Sequence, residues 1–244
     1  MRIKILYEDQ SIIVVHKPPG LATETSKFGQ IDMVSEIKNY IASKGQSKGE
    51  PYLGLIHRLD QPVEGILVVA KNQKVARELS QQIRNNLIKK YYYGVVFGNL
   101  KKDQETLVDF LLKDSRSNLS KIVKEDTIDA KRAELSYQII SCETEERSNL
   151  EHKDNTGDKQ VYLVEVQLVT GRHHQIRVQM SNAGIPLLGD LKYGSQETIA
   201  ISEKRKIHNI ALCAYKLQFI NPATNKKMEF KIEPSSEIFH NLIS

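Results

Sequence analysis

The sequence predicts an α+β fold in one domain spanning residues 1–244. Three observations carry that expectation. Short apolar or alternating runs rich in β-branched residues recur along the chain, only three stretches switch to helical spacing, and turn residues separate them at short intervals. A chain of 244 residues is long enough to bury a substantial core in one such domain.

Taken in order, "IKILYEDQSIIVVHKPPGLAT" reads as two short strands with a turn at Glu8 to Gln10 and a stop at Pro18, Pro19 and Gly20. In "DMVSEIKNYIASKG" Met33, Ile37 and Ile41 recur four apart, which makes one apolar helical stripe ended by Gly45. "IHRLDQPVEGILVVAK" places charge directly before a greasy run. Gln61 precedes Pro62 and is pushed into extended or turn geometry, so Asp60 stands at a corner. Ile66 to Ala70 is too short and too β-branched for a helix and reads as a covered strand. Asn72 caps a helix whose apolar face carries Val75, Leu79, Ile83 and Leu87. "KYYYGVVFGNL" reads as a strand in which Tyr91 and Tyr93 share the face opposite Tyr92, a pattern of core packing for those two. "AELSYQII" and "VYLVEVQLV" alternate and are expected as strands joined by an exposed hairpin loop over 143–158. Ile176, Met180 and Ala183 then fall at helical spacing before Gly184, and a helix starting near Gly171 would offer N–H groups to an anion. "ALCAYKLQFI" and "KMEFKIE" close the chain as a hairpin about "NPATNKK".

Composition narrows the function. The net charge is +5, but Lys71 to Lys102 holds eight Lys or Arg against the single Glu78, a local balance of +7. Glu143 to Asp158 carries six acids against Arg147 and Lys153. One segment attracts phosphate and another does not, which points to a polyanionic partner for part of the surface. No stretch is long and apolar enough to span a bilayer, and "MRIKILYEDQ" reads as a strand, not a signal segment, so a cytosolic protein is expected. Cys142 and Cys213 have no motif spacing and read as ordinary thiols. There is no HExxH, no GxxxxGK[ST] and no GxGxxG, so metal, nucleotide and nicotinamide chemistry are not expected.

"HRLD" at 57–60, Gly65 with "ILVVAK", "KYYYGVVFG" at 90–98, "TGRHHQIRVQ" at 170–179 and "PLLGDLKYG" at 186–194 follow one another in an order and spacing that resemble the RluA-type RNA pseudouridine synthases. The opening "YEDQSIIVVHKPPGL" is similar to that family's first segment, so the resemblance runs from about residue 6 to 232. It implies a mixed, largely antiparallel sheet flanked by helices and loops, with a central catalytic cleft. It also implies isomerisation of specific uridines to pseudouridine in structured ribosomal or transfer RNA, without a cofactor. The chain departs from the family pattern at Val63, Glu64, His173, Gln179 and Cys213, departures that bear on substrate preference. No S4-like RNA-binding extension is expected ahead of the catalytic segment, and a monomer is expected.

By the same resemblance Asp60 is the catalytic carboxylate, either attacking C1′ or promoting a glycal intermediate. An ionised acid in a partly dry pocket needs a charged partner, and Arg177, with its planar permanent charge, is the candidate. Tyr92 matches the family tyrosine that stacks on uracil and takes part in removing the C5 proton. A stacked uridine must leave its helix to react, and Arg58 is placed to fill the gap or hold the adjacent phosphate. His57 reads either as a structural histidine or as an RNA contact. Lys71, Lys74, Arg84, Lys89, Lys90, Arg172 and Lys192 are candidate phosphate contacts. Two rivals use the same residues. One is a non-catalytic RNA-binding module or chaperone on the same basic face. The other is a glycoside hydrolase using Asp60 and Glu64, which Pro62 disfavours because nothing fixes the two carboxylates' separation.

Overall fold

The computed structural model describes residues 3–25, 29–45, 49–144 and 159–243. The elements in chain order are β1 (Lys4–Glu8), β2 (Ile12–Lys17), α1 (Met33–Ser43), β3 (Gly54–Leu55), β4 (Glu64–Ala70), α2 (Gln73–Arg84), β5 (Lys89–Gly98), β6 (Gln104–Asp114), β7 (Leu119–Val123), β8 (Lys131–Thr144), β9 (Gln160–Leu168), α3 (Gln175–Asn182), α4 (Gln196–Lys204), β10 (Leu212–Ile220), β11 (Lys227–Lys231) and α5 (Glu237–Ile243). They form two compact units, Met1–Tyr91 with Cys213–Pro234, and Tyr92–Leu212 with Ser235–Ser244. The α+β expectation holds: among the described residues β1–β2, β2–β4, β6–β8 and β8–β9 pair antiparallel, and β4 and β10 run parallel.

In the first unit β4 is the hub. It is buried along its whole length, pairs antiparallel with β2 and β3, and runs parallel to β10, which pairs antiparallel with β11. An apolar run without alternation is what a strand covered on both faces requires. Gly65, at φ 146°, lies so close to β10 that a Cβ would run into Ala214, so only glycine fits there. The Asp9 carboxylate accepts from the N–H groups of Ser11 and Ile12 and closes the first hairpin where turn residues were expected. Asp32 caps α1 by accepting from Ser35 N–H at 2.8 Å, and Met33, Ile37 and Ile41 are all buried. Asn72 caps α2 through Val75 N–H at 2.9 Å, with Val75 and Leu79 in the core beside Ile12, Val14, Ile66 and Val68. The apolar stripe outruns this helix: α2 ends at Arg84, Asn86 turns to φ 53°, and Leu87 is left exposed.

The second unit is an antiparallel array in which β8 pairs with both β9 and β6, and β6 with β7. The expected loop at 143–158 falls almost wholly outside the described residues, but the strands on either side of it are antiparallel neighbours, Thr144 opposite Gln160. The β6–β7 hairpin and α4 were not foreseen. In β6 charged and amide residues sit among half-buried apolar ones, so the two-residue period is blurred. Helix α3 begins at Gln175, not near Gly171, because His174 takes a left-handed φ of 53° and breaks the helical path. The Gln175 side chain instead accepts from Arg172 N–H at 2.9 Å and from the Thr170 hydroxyl at 2.7 Å, folding 170–174 into a turn.

Candidate active site

Asp60 belongs to the first unit, and Tyr92 and Arg177 to the second. In the first unit the Asp60 corner is held by its neighbours' backbones. Thr23 donates its hydroxyl to Leu59 O at 2.8 Å and accepts from Leu59 N–H at 3.2 Å. On the other side Gln61 O accepts from Gly20 N–H at 2.8 Å and from Lys17 Nζ at 3.2 Å, while Gln61 Nε2 donates to Gly20 O. Val63 N–H closes the turn onto Asp60 O at 3.0 Å. The segment 17–23 therefore clamps both flanks of Asp60, which is itself half-buried.

Lys17 is the residue that the sequence reading passed over here. It is completely buried, and its ammonium also donates to Leu21 O at 2.7 Å and Pro18 O at 2.9 Å. Burial pushes its pKa down to about 8, against the opposing pull of the Asp60 and Glu64 charges. A positive charge thus lies within reach of both carboxylates. Two of the departures from the family pattern also meet in this unit. Glu64 and Cys213 are register partners across β4 and β10, and both are buried. Burial raises the Cys213 thiol well above its usual range, and the Glu64 charge and hydrogen bond raise it further, so this is not a reactive thiolate.

Of the residues beside Asp60, Arg58 is exposed and His57 is half-buried. His57 Nε2 accepts weakly from Val68 N–H at 3.5 Å, and Nδ1 is sealed from solvent with no hydrogen-bond partner among the described residues. Burial first, and then the Lys90 charge, push the imidazole down to about 3, so the ring is neutral and offers no charge to a phosphate. This sets a pH dependence. With a folded pKa below its ordinary 6.5, the stability His57 contributes is whole above pH 6.5 and is lost progressively as pH falls toward 3. The melting temperature of His57→Asn is expected to fall less steeply than that of the wild type between pH 6.5 and 5. Parallel slopes would show a solvated imidazole.

The candidate phosphate contacts divide by environment. Lys74, Arg84 and Lys89 in the first unit and Arg172 and Lys192 in the second are exposed. Lys71 instead pairs with Glu8 Oε1 at 2.9 Å and donates to Asp9 O, and Lys90 is buried, with its pKa lowered by that burial. Tyr91 is half-buried, its ring capped by the Lys216 ammonium at 3.9 Å.

In the second unit Tyr92 is buried on β5. Arg177, on α3, is buried too, and its Nε and one Nη grip the two Asp190 carboxylate oxygens at 2.8 Å each. Asp190 stood in the quoted "PLLGDLKYG" without a role. Its Oδ1 also accepts from the N–H groups of Lys192 and Tyr193, which winds 190–194 into a tight turn. Gly189 opens that turn at φ 75°, where a Cβ would strike Asn209 O. Gln179, where the family usually has His, is fully buried. It joins α3 to β6 through Asp109 at 2.7 Å and accepts from Gln175, so that departure sits inside the protein. His173, the other departure on this segment, stacks on His174 with centroids 3.7 Å apart and meets Ser120 Oγ at 3.0 Å.

Among the described residues no helix is long and apolar enough to cross a membrane. Residues 11–182 match the protein family described as "RNA pseudouridylate synthase". The chain is 33% identical over 230 residues to "Dual-specificity RNA pseudouridine synthase RluA" of Yersinia pestis, covering 94% of this chain and 98% of that protein. It is 32% identical over 247 residues to "Uncharacterized RNA pseudouridine synthase YlyB" of Bacillus subtilis, covering 99% and 73%. With "Ribosomal large subunit pseudouridine synthase C" of Vibrio cholerae it shares 30% over 228 residues, which is 92% of this chain but only 64% of that relative's length. Among solved structures, "Human RNA Pseudouridylate Synthase Domain Containing 4" superposes with a TM-score of 0.72 at 24% identity, covering 97% of this chain and 90% of that one, a likeness of fold.

Proposed function

The chain belongs to the RNA pseudouridylate synthase family, isomerases that convert uridine to pseudouridine in RNA, and on that premise we propose that it acts on specific uridines of a structured ribosomal or transfer RNA with Asp60 as its catalytic carboxylate. The observation that carries the reading is the Asp60 corner. A half-buried acid in the "HRLD" segment, clamped on both flanks by the backbones of Leu59 and Gln61, has the fixed geometry that a carboxylate needs beside a sugar.

In this reaction the bond from N1 to C1′ breaks, the uracil turns, and C5 bonds to C1′. The proton on C5 then leaves and N1 ends protonated, so nothing is oxidised or reduced. Asp60 serves either by attacking C1′ or by promoting the glycal. Tyr92 stacks on the detached uracil and takes part in moving the C5 proton. Arg177 supplies permanent positive charge. The target base leaves its stack at a cost of a few kcal/mol, with Arg58 entering the gap or holding the neighbouring phosphate. Lys74, Arg84, Lys89, Arg172 and Lys192, all exposed, suit phosphate contacts better than Lys71, Lys90 and His57. The protein is taken to work as one catalytic domain, monomeric, cytosolic and without a cofactor.

The test is conversion of RNA from the protein's own host lacking this gene. The expected result is new carbodiimide-dependent reverse-transcription stops at a few discrete uridines after incubation with the purified protein. RNA binding without any new stop would favour the non-catalytic module.

A further inference from the structure

We infer that Tyr193 is a positioning residue for the isomerisation, acting through Arg177, and that His174 and β7 hold it in place; the inference rests on the reading that Arg177 takes part in that reaction. Asp190 grips the guanidinium along one edge, by Nε and one Nη. Arg177 Cζ also lies over the Tyr193 ring, 5.1 Å from its centroid, so the ring adds a second constraint on how the guanidinium is oriented.

The ring is itself anchored at both ends. At the backbone end Tyr193 N–H donates to Asp190 Oδ1 and Tyr193 O accepts from Ser181 Oγ at 2.6 Å, which ties the turn to α3. At the far end the phenol oxygen accepts from Ser120 N–H on β7 at 2.7 Å and lies 2.9 Å from His174 Nδ1. The two anchors of that oxygen are in turn joined to each other. Ser120 Oγ donates to His173 O at 2.7 Å, and His173 stacks on His174. His174 holds a left-handed φ of 53°, a conformation that costs a histidine energy and that fixes the imidazole against the tyrosine edge at 85°. A tyrosine needed only to fill space would require none of this. A phenol hydroxyl held from two elements, with the ring laid on a buried guanidinium, is the construction of a part that must not move.

The variant that isolates the claim is Tyr193→Phe, which keeps the ring and removes the hydroxyl anchor. Turnover is read as tritium released from RNA labelled at uridine C5, with KM for the RNA and the melting temperature measured in parallel. The expected result is a fall in kcat of roughly 10- to 100-fold, since small misplacements of a catalytic group have effects of that size. KM should stay within about threefold, because no RNA contact is lost. His174→Gly is the second variant. Glycine tolerates the left-handed conformation but carries no side chain to meet the phenol, so kcat should fall in the same direction by less. In an Arg177→Lys background Tyr193→Phe should add no further loss to whatever activity remains. Unchanged kcat in either folded single variant, or a rise in KM alone, overturns the inference. If Arg177→Lys itself turns over at the wild-type rate, it is the underlying reading of Arg177 that fails.

Discussion

Asp60→Ala is expected to abolish pseudouridine formation, lowering the rate by at least about 10⁴-fold, the upper range for losing a single acid–base group and a modest figure for a nucleophile. RNA affinity should stay within a few fold of the wild type. The two halves of this expectation have different physical sources. A carboxylate facing a polyanion contributes no attraction to phosphate, so removing it cannot weaken the electrostatic part of binding. The fold should also survive, because the bonds that hold the corner run through Leu59 N–H and O, Gln61 O and Asp60 O. Asp60→Asn, which preserves shape, should be as inactive as the alanine variant. Single-turnover tritium release and a fluorescence-anisotropy titration on the same RNA decide the matter. Wild-type turnover in either variant would move the chemistry to another residue. Loss of binding together with activity would make Asp60 a contact instead of a catalyst.

How the corner was found, and what around it was not, follows from the range of the interactions. A covered strand, a proline turn and a helix cap are local facts. Ile66 to Ala70, Gln61–Pro62 and Asn72 announce them in a few residues, and the structure returns each where it was expected. The charged partners of the site are not local. Lys17 ends an apolar strand, where a lysine ordinarily reaches solvent, yet it is buried because three carbonyls, one of them 44 residues away, converge on its ammonium. Asp190 lies 13 residues beyond Arg177 with a helix end and a turn between them, and no periodicity says which acid an arginine will choose. The start of α3 was misplaced for a related reason. A histidine in left-handed geometry is unusual, and what holds His174 there is a tyrosine 19 residues on. Asp60, Tyr92 and Arg177 stand in motifs that resemble a known family; the surrounding clamp and network are made by contacts between distant residues that no motif encodes.

Asp190→Ala is the substitution expected to cost the most stability, about 3–5 kcal/mol, the usual penalty for removing one partner of a buried ion pair. The side chains of Arg177 and Asp190 are 4% and 1% exposed, so a guanidinium deprived of its carboxylate has no water to turn to. The turn at 190–194 would lose the oxygen that accepts from Lys192 and Tyr193 N–H, leaving further polar groups without partners. Urea unfolding followed by circular dichroism should show a loss of unfolding free energy of that size without aggregation of the native protein. The double variant Arg177→Met with Asp190→Leu separates the two costs. It removes both charges and fills similar volume, so most of the lost stability should return while pseudouridine formation is abolished. A single Asp190→Ala effect below about 1 kcal/mol would mean that solvent or another acid reaches Arg177. If the double variant recovered activity along with stability, the guanidinium would serve only to hold α3 to its neighbouring turn, and its charge would have no part in the chemistry.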